Sequence, residues 1–162
     1  MYIFDIATET WYTQSTTAEA RRPPSASDGS DFCAVVASAE DNSSHNIYIY
    51  GGYLPVGRPS NEVFILTLPA FHWVAVYPSL TEDPDVDVRR TYQHRCLKIH
   101  EKYMVAYRGL TESGICDSDP KSMRFQGMAI YDMSSLTWTT KVELEDQKYS
   151  VPQALYEIIG GK

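Results

Sequence analysis

The segment NIYIYGGYLPVGRPSNEVFILTLPAFHW, Asn46 to Trp73, has the clearest strand and turn pattern in the sequence. It begins with Ile47 to Tyr50, whose aromatic and β-branched residues are typical of a strand that ends at the glycine pair Gly51-Gly52. A loop rich in turn-forming residues leads to a second apolar segment, Val63 to Leu68, which is followed by a tight turn. Trp73 then opens a third strand, so the stretch predicts part of a small antiparallel sheet.

Two weaker copies of this unit flank it. Asp5 and Asp132 share one position of the repeat and Thr67 occupies it in the middle copy, which suits a short polar side chain that bonds backbone amides of the following turn. The same superposition places Cys33 and Cys96 at equivalent points of earlier strands. The three copies, aligned on their tryptophans, are YIFDIATETW (Tyr2 to Trp11), FILTLPAFHW (Phe64 to Trp73) and AIYDMSSLTW (Ala129 to Trp138).

The repeat predicts four short strands per unit at a period of roughly 60 residues, a spacing at which arrays and propellers are expected. We therefore predict an all-β protein that forms one incomplete propeller domain. The segments Thr16 to Ser30 and Tyr77 to Arg90 are rich in Pro, Ser, Asp and Arg, and are predicted to be surface connections. The predicted parts are the end of an incomplete blade at 1–15, complete blades at 31–77 and 91–143, and a C-terminal helix at 150–161.

The C-terminal segment is predicted to be a short helix. Ser150 can cap it, Pro152 is tolerated in the first turn, and Gly160 can adopt the left-handed stop. A buried strand of similar length would also be apolar, so a strand is the alternative. The apolar residues that share the face of this helix are Val151, Leu155, Ile158 and Ile159.

These residues resemble the kelch repeat, which is the blade of one class of β-propeller. The resemblance lies in the glycine pair after the aromatic strand, the entry Ser60-Asn61-Glu62 to the next strand, and the tryptophan after a turn. The second unit departs from it, because Arg108-Gly109 stands in place of the glycine pair. The residues that carry the repeat signature are Asp5, Trp11, Gly51, Gly52, Asn61, Trp73, Gly109, Asp132 and Trp138.

A narrower resemblance concerns kelch-repeat proteins of filamentous fungi. The segments FDIATETW, DFCAVVAS followed by NIYIYGGY, and YSVPQALYEIIGG look like the C-terminal part of such proteins. In that group the propeller is often an outward-facing domain followed by a membrane-spanning segment, which implies a cell-surface or secreted context for this chain. Since propellers have about four to eight blades, the missing blades are expected from the rest of a longer polypeptide, and the isolated chain is expected to aggregate or pack loosely.

Composition limits the partners. The formal charge of -7 argues against a nucleic-acid partner, because phosphate binding needs clustered Lys and Arg.

Twelve tyrosines and three tryptophans favour an all-β fold. The sequence contains no run of about eighteen apolar residues, so no membrane-spanning segment is predicted in this chain.

No arrangement of residues indicates catalysis, a cofactor or a metal. The histidines lack metal-type spacing; His94 and His100 lie an even number apart in one candidate strand and are predicted to be ordinary strand-face or surface residues. The acidic loop Glu82 to Asp87 has hard oxygens that suit calcium, but a solvated loop is the simpler interpretation. The pairs Arg21-Arg22 and Arg89-Arg90 are predicted to pair with nearby acids.

Two covalent modifications depend on the compartment. Cys96 and Cys116 are predicted to form a disulfide if the protein is secreted, and Cys33 would then remain as a small buried apolar residue. Asn42-Ser43-Ser44 is a glycosylation acceptor that matters only on the secretory route.

The predicted function is that of a non-enzymatic interaction module that binds an unknown protein or glycan. Three variable loops would carry the contacts: Tyr53 to Ser60, Tyr77 to Arg90 and Gly109 to Arg124. One alternative is an enzyme that resembles galactose oxidase, in which two tyrosines and two histidines hold copper, although no motif of that site matches this sequence. The other alternative is an intracellular kelch scaffold or adaptor.

Overall fold

A computed structural model describes residues 1–18, 31–54, 57–76, 90–112, 128–143, 145 and 148–159. Over these residues the chain forms several antiparallel sheets and one short helix, which confirms the predicted all-β fold class. The strands are β1 (Tyr2–Asp5), β2 (Thr10–Thr13), β3 (Thr17–Ala18), β4 (Cys33–Ser38), β5 (His45–Tyr50), β6 (Tyr53–Leu54), β7 (Arg58–Pro59), β8 (Val63–Leu68), β9 (His72–Val76), β10 (Arg95–Ile99), β11 (Tyr103–Tyr107), β12 (Met128–Asp132) and β13 (Thr137–Thr139), and the helix is α1 (Gln153–Ile159).

The first four-stranded blade is an antiparallel meander of β4, β5, β8 and β9, to which β3 adds a fifth strand beside β9. The sequence predicted a surface connection from Thr16 onward, whereas Thr17–Ala18 pairs in parallel with His72 and Trp73. The Thr17 amide donates to the Phe71 carbonyl at 3.1 Å. This short strand satisfies backbone groups that the edge strand β9 would otherwise expose.

The second blade is a meander of β10, β11, β12 and β13. Its first strand covers Arg95–Ile99 and so excludes both His94 and His100, which the sequence analysis placed in one candidate strand. His94 is buried just before β10, and His100 is exposed in the turn after it with a positive φ of 50°. The two histidines therefore do not share a strand face.

The two blades pack against each other and share one core. Strand β4 lies beside β10, so alternate residues of each sheet face the other sheet. Each large apolar side chain buried in this way contributes about 1.5–3 kcal/mol. The buried residues of this core are Cys33, Val35, Ala37, Tyr48, Tyr50, Val63 and Ile65 from the first blade, and Met104, Ala106, Ala129, Tyr131, Met133 and Trp138 from the second.

The C-terminal segment closes this core. Tyr149 lies between the blades, where its hydroxyl bonds the Tyr48 hydroxyl at 2.9 Å and accepts from the Asn46 side chain at 3.0 Å. The predicted helix is confirmed, but it begins at Gln153. Ser150 does not cap it; the Ser150 amide donates to the Ser134 hydroxyl at 2.9 Å and so holds the segment against the second blade.

The three tryptophan turns share a cross-strand pairing and a backbone feature. Trp11, Trp73 and Trp138 pair across their hairpins with Phe4, Leu66 and Tyr131. The residue two positions before each tryptophan has a positive φ, of 51° at Glu9, 52° at Phe71 and 59° at Leu136. Asp5 accepts from the Ala7 amide and Asp132 from the Ser134 and Ser135 amides, whereas the Thr67 hydroxyl donates to the His72 carbonyl.

Candidate functional site

The connections that the sequence singled out leave the blades at one end. Tyr50 pairs with Val63 and Val63 with Val76, so three strand ends of the first blade lie together. In the second blade Tyr107 pairs with both Arg95 and Met128 at the corresponding end. We call this the loop end, and the opposite end, with the tight turns at 39–44, 69–71, 100–102 and 133–136, the turn end.

Two glycines of the repeat signature make room for His94 at the loop end. Gly51 has a φ of +66°, and a Cβ there would lie 2.5 Å from His94 Cε1 and 2.7 Å from the Thr91 carbonyl oxygen. Gly109 has a φ of +121°, and its Cβ would lie 2.9 Å from His94 Cβ. The imidazole therefore occupies space that any side chain at these positions would fill.

Backbone hydrogen bonds join the two blades beside His94. The Gly52 amide donates to the Thr91 carbonyl at 3.0 Å, and the Thr91 amide donates to the Ser60 carbonyl at 3.1 Å. The Ser60 hydroxyl accepts from the Glu62 amide at 3.0 Å, and Asn61 lies half-buried between these two residues. These hydrogen bonds hold the backbone of the loop end in place, and with it the positions of the side chains that it carries.

The described part of the loop from Tyr53 to Ser60 carries an aromatic and cationic surface. Its strands β6 and β7 form a small hairpin in which Leu54 pairs with Arg58. The Tyr53 hydroxyl donates to the Gly57 carbonyl at 2.8 Å, and its ring meets Tyr92 edge to face at 5.2 Å. Tyr53 and Arg58 are exposed and Tyr92 is half-buried. We call Tyr53, Arg58 and Tyr92 the aromatic–arginine surface.

A disulfide links the two blades near the start of their first strands. Cys33 at the start of β4 is bonded to Cys96 of β10, with the two Cα atoms 5.4 Å apart. This pairing differs from the predicted bridge between Cys96 and Cys116, and Cys116 lies outside the described residues. The physical reason is that adjacent first strands bring equivalent repeat positions together. Ligand atoms of Cys33, His94 and Cys96 all lie within 4.8 Å of one another.

The turn end holds a polar cleft of about 660 Å³ that the sequence did not indicate. The Lys102 ammonium lies 3.7 Å from Asp132 and 3.6 Å from Glu143, although its side chain is only 6% exposed. From the sequence, a lysine in a turn is expected to be solvated. A pattern that could have indicated its burial is that Lys102 directly precedes β11, whose first residue pairs with Asp132. The cleft is lined by Tyr103, Trp138, Lys141 and the hydroxyl side chains Ser134, Ser135, Thr137, Thr139 and Thr140.

The remaining candidate residues lie apart from these two sites. Asn42 is exposed in the turn after β4, where its amide donates to the Ala39 carbonyl at 2.9 Å. His45 bonds the Ser38 hydroxyl at 2.8 Å and His72 bonds the Thr17 hydroxyl at 2.7 Å, so each has a structural partner. The acidic loop at 82–87, the pair at 21–22 and Arg89 lie outside the described residues.

Fold and site together define a repeat protein built from propeller-type blades. The chain is 29% identical over 187 residues to a protein of Arthroderma benhamiae named "Kelch repeat-containing protein". This similarity covers 98% of the chain and confirms its resemblance to kelch-repeat proteins. The chain spans about a quarter of the length of that relative, since 25% of it is covered. No protein-family model matches the chain.

The described helix gives no indication of a membrane span. Helix α1 has seven residues, and among the described residues no helix has the length and apolar character needed to cross a bilayer.

Proposed function

We propose that the chain is part of a non-enzymatic kelch-type interaction module that binds a protein partner through the aromatic–arginine surface. The observation that carries the proposal is the ring contact of exposed Tyr53 with Tyr92 at the loop end, on a hairpin that also carries exposed Arg58. Tyrosine and arginine are enriched among the residues that dominate protein–protein binding energy. Loops held on a rigid scaffold are also the usual place for such contacts.

The geometry suits a preorganised anchor. Tyr53 is held at both ends of its side chain, by its ring contact with Tyr92 and by its hydroxyl bond to Gly57. A side chain that is already fixed loses little conformational entropy when a partner binds, so more of the contact energy appears as affinity. Arg58, paired through the backbone with Leu54 in the same hairpin, adds a charge that complements an acidic partner.

The test is a comparison of partner capture by variants of the loop end. Tyr53→Ala and Arg58→Ala are each expected to weaken binding of the captured partner about tenfold, because truncating a central anchor removes more than 1 kcal/mol. Tyr12→Ala and Lys98→Ala are matched controls, since Tyr12 is exposed on the β1–β2 hairpin and Lys98 lies near the turn end. Equal weakening by the controls would contradict the proposal.

A glycan array run with the same variants separates the two partner classes. Glycan binding that survives Tyr53→Ala and is lost in Lys141→Ala would place recognition in the turn-end cleft instead. That cleft offers hydroxyl groups beside the charged side chains of Lys102, Asp132, Lys141 and Glu143, which suit a sugar more than a protein surface.

We also propose that the module belongs to a cell-surface or secreted protein. The Cys33–Cys96 disulfide supports this context, because disulfides persist in oxidising compartments. The exposed sequon asparagine Asn42 is accessible to glycosylation. Peptide mapping of the native protein without reduction is expected to give a linked Cys33–Cys96 peptide and a glycan on Asn42. Free thiols and an unmodified Asn42 would favour the intracellular scaffold.

A further inference from the structure

Cys33, His94 and Cys96 form a cluster where the first strands of the two blades meet. Their ligand atoms lie within 4.8 Å of one another. Cys33 and His94 are 7% and 5% exposed, and Cys96 is partly buried beside them. Two sulfurs and one imidazole are the donor set that soft metal ions prefer. The cluster is independent of the aromatic–arginine surface and of the proposed partner.

The hydrogen bond of His94 is of the kind that metal-binding histidines make. Its Nε2 lies 3.0 Å from the Tyr50 carbonyl oxygen, which can only accept, so the proton is on Nε2. The neutral ring then carries its lone pair on Nδ1. A hydrogen bond from the second ring nitrogen to a backbone carbonyl is the arrangement that fixes the tautomer of histidine ligands. The close packing against Gly51 and Gly109 fixes the ring position.

The two sulfurs have two chemically accessible states, bonded to each other or, after reduction, bonded to a metal ion. In the structure they form the disulfide. A thiol reductant supplies two electrons and two protons to this bond, which gives two thiols, while the reductant is itself oxidised to a disulfide. A metal ion then displaces both thiol protons to solvent and binds the two thiolates. Two thiolates and a neutral imidazole around Zn²⁺ have no net charge, which suits a buried position.

We propose that reduced Cys33 and Cys96, together with Nδ1 of His94, bind a soft d¹⁰ metal ion, Zn²⁺ or Cu⁺, at the blade junction. Metal–sulfur bonds of about 2.3 Å and metal–nitrogen bonds of about 2.0 Å place ligand atoms of one ion at most about 4.6 Å apart. All three ligand atoms lie within 4.8 Å of one another, and reduction lets the two sulfurs move apart to admit the ion. The ion replaces the disulfide as the link between the blades.

Cobalt binding to the full chain, reduced with a phosphine under argon, tests the proposal. Co²⁺ is the spectroscopic probe, and one ion per chain is expected to bind with sulfur-to-cobalt charge-transfer absorption. Cys33→Ser, Cys96→Ser and His94→Gln are each expected to weaken binding at least about tenfold. Cys116→Ser is the control and leaves binding unchanged. Competition by Zn²⁺ or by Cu⁺ against chelators of known affinity then identifies the preferred ion.

Several results would overturn the proposal. These are the absence of stoichiometric cobalt binding, binding that persists in Cys33→Ser, and binding that is lost in Cys116→Ser. Because a serine variant can fail to fold, Cys96→His provides a second measurement; it keeps three ligands and is expected to bind cobalt with about half the charge-transfer absorption. A reduced chain that loses its β-structure by circular dichroism and does not regain it with metal would also overturn the site.

Discussion

The β1–β2 hairpin and the β12–β13 hairpin have the same local structure and opposite surroundings. Trp11 pairs with Phe4 and Trp138 with Tyr131, and in both pairs the ring centroids are 5.0 Å apart. Trp11 is 67% exposed, however, whereas Trp138 is 5% exposed. The repeat sequence is therefore enough to form the hairpin, but it does not decide whether the tryptophan is buried.

A neighbouring blade makes the difference. The Trp138 ring contacts Tyr50 of the preceding blade at a centroid distance of 4.7 Å. Hairpin β1–β2 forms a two-stranded sheet of its own, and its strand residues are mostly exposed. The strand residues of this hairpin are thus mostly in solvent, while the two blades share a packed core; that the isolated chain aggregates or packs loosely stays a prediction. The exposed apolar residues of the hairpin support the expectation that the isolated chain aggregates.

The largest expected effect comes from truncating the two equivalent tryptophans. Trp138→Ala is expected to lower the free energy of unfolding by about 3–5 kcal/mol, because it removes a large buried ring and leaves a cavity. Trp11→Ala is expected to change it by less than about 0.5 kcal/mol, since its ring is largely in solvent. Urea unfolding followed by far-ultraviolet circular dichroism measures both at low protein concentration. Similar losses in the two variants would show that the neighbouring blade does not bury Trp138.

A smaller difference in unfolding free energy is expected between alanine substitutions of a glycine at the blade junction and of a glycine in a loop. Gly51→Ala and Gly57→Ala each place a side chain at a positive φ, of 66° and 77°, which costs about 1 kcal/mol. Only the Cβ at position 51 meets atoms of the other blade, His94 Cε1 at 2.5 Å, while nothing lies within 4 Å at position 57. Overpacking adds about 1–3 kcal/mol. The same urea assay is therefore expected to give the larger loss of unfolding free energy for Gly51→Ala. Equal losses would show that the contact between the blades adjusts to the added methyl group without cost.

The strands were predictable because their signals are local. Aromatic and β-branched runs that end in glycine mark β5, and the tryptophan turns mark three hairpins, so the order of the blade strands follows from the sequence, whereas β6 and β7 lie in a segment predicted to be a loop. The short strand β3 was missed because two residues of a polar linker carry no periodicity. It forms only because the edge of β9 is available.

Contacts between blades were harder to predict. The superposition placed Cys33 and Cys96 at equivalent positions, yet only the packing of β4 against β10 shows that equivalent positions of adjacent blades touch. The place of His94 between Gly51 and Gly109 depends on the same packing, because these residues are far apart in sequence. The Lys102 cleft likewise needs the pairing of β11 with β12 to bring Asp132 close. Local sequence patterns are enough to predict the strands. Sites formed by side chains of different strands can be located only once the packing of the sheets is known.

The smallest expected effect is a dependence of stability on alkaline pH that belongs to the blade junction. Burial raises the pKa of Tyr149 from 10.0 to about 12. Burial, together with the neighbouring Tyr149, also raises the pKa of Tyr48 well above 10.0. The folded state therefore holds these hydroxyls in the protonated form. Their contribution to stability is complete below pH 10 and is lost as the pH rises towards 12, because the unfolded chain ionises first.

Urea unfolding between pH 8 and pH 12 measures this loss, which is expected to be on the order of 1–2 kcal/mol for Tyr149. Tyr149→Phe is expected to reduce the slope without removing it, since Tyr48 stays buried. Tyr2→Phe is the matched control, because Tyr2 lies on the β1–β2 hairpin with 78% of its surface exposed. An unchanged slope in Tyr149→Phe would show that its hydroxyl is open to water, and would place the C-terminal segment outside the core that buries Trp138.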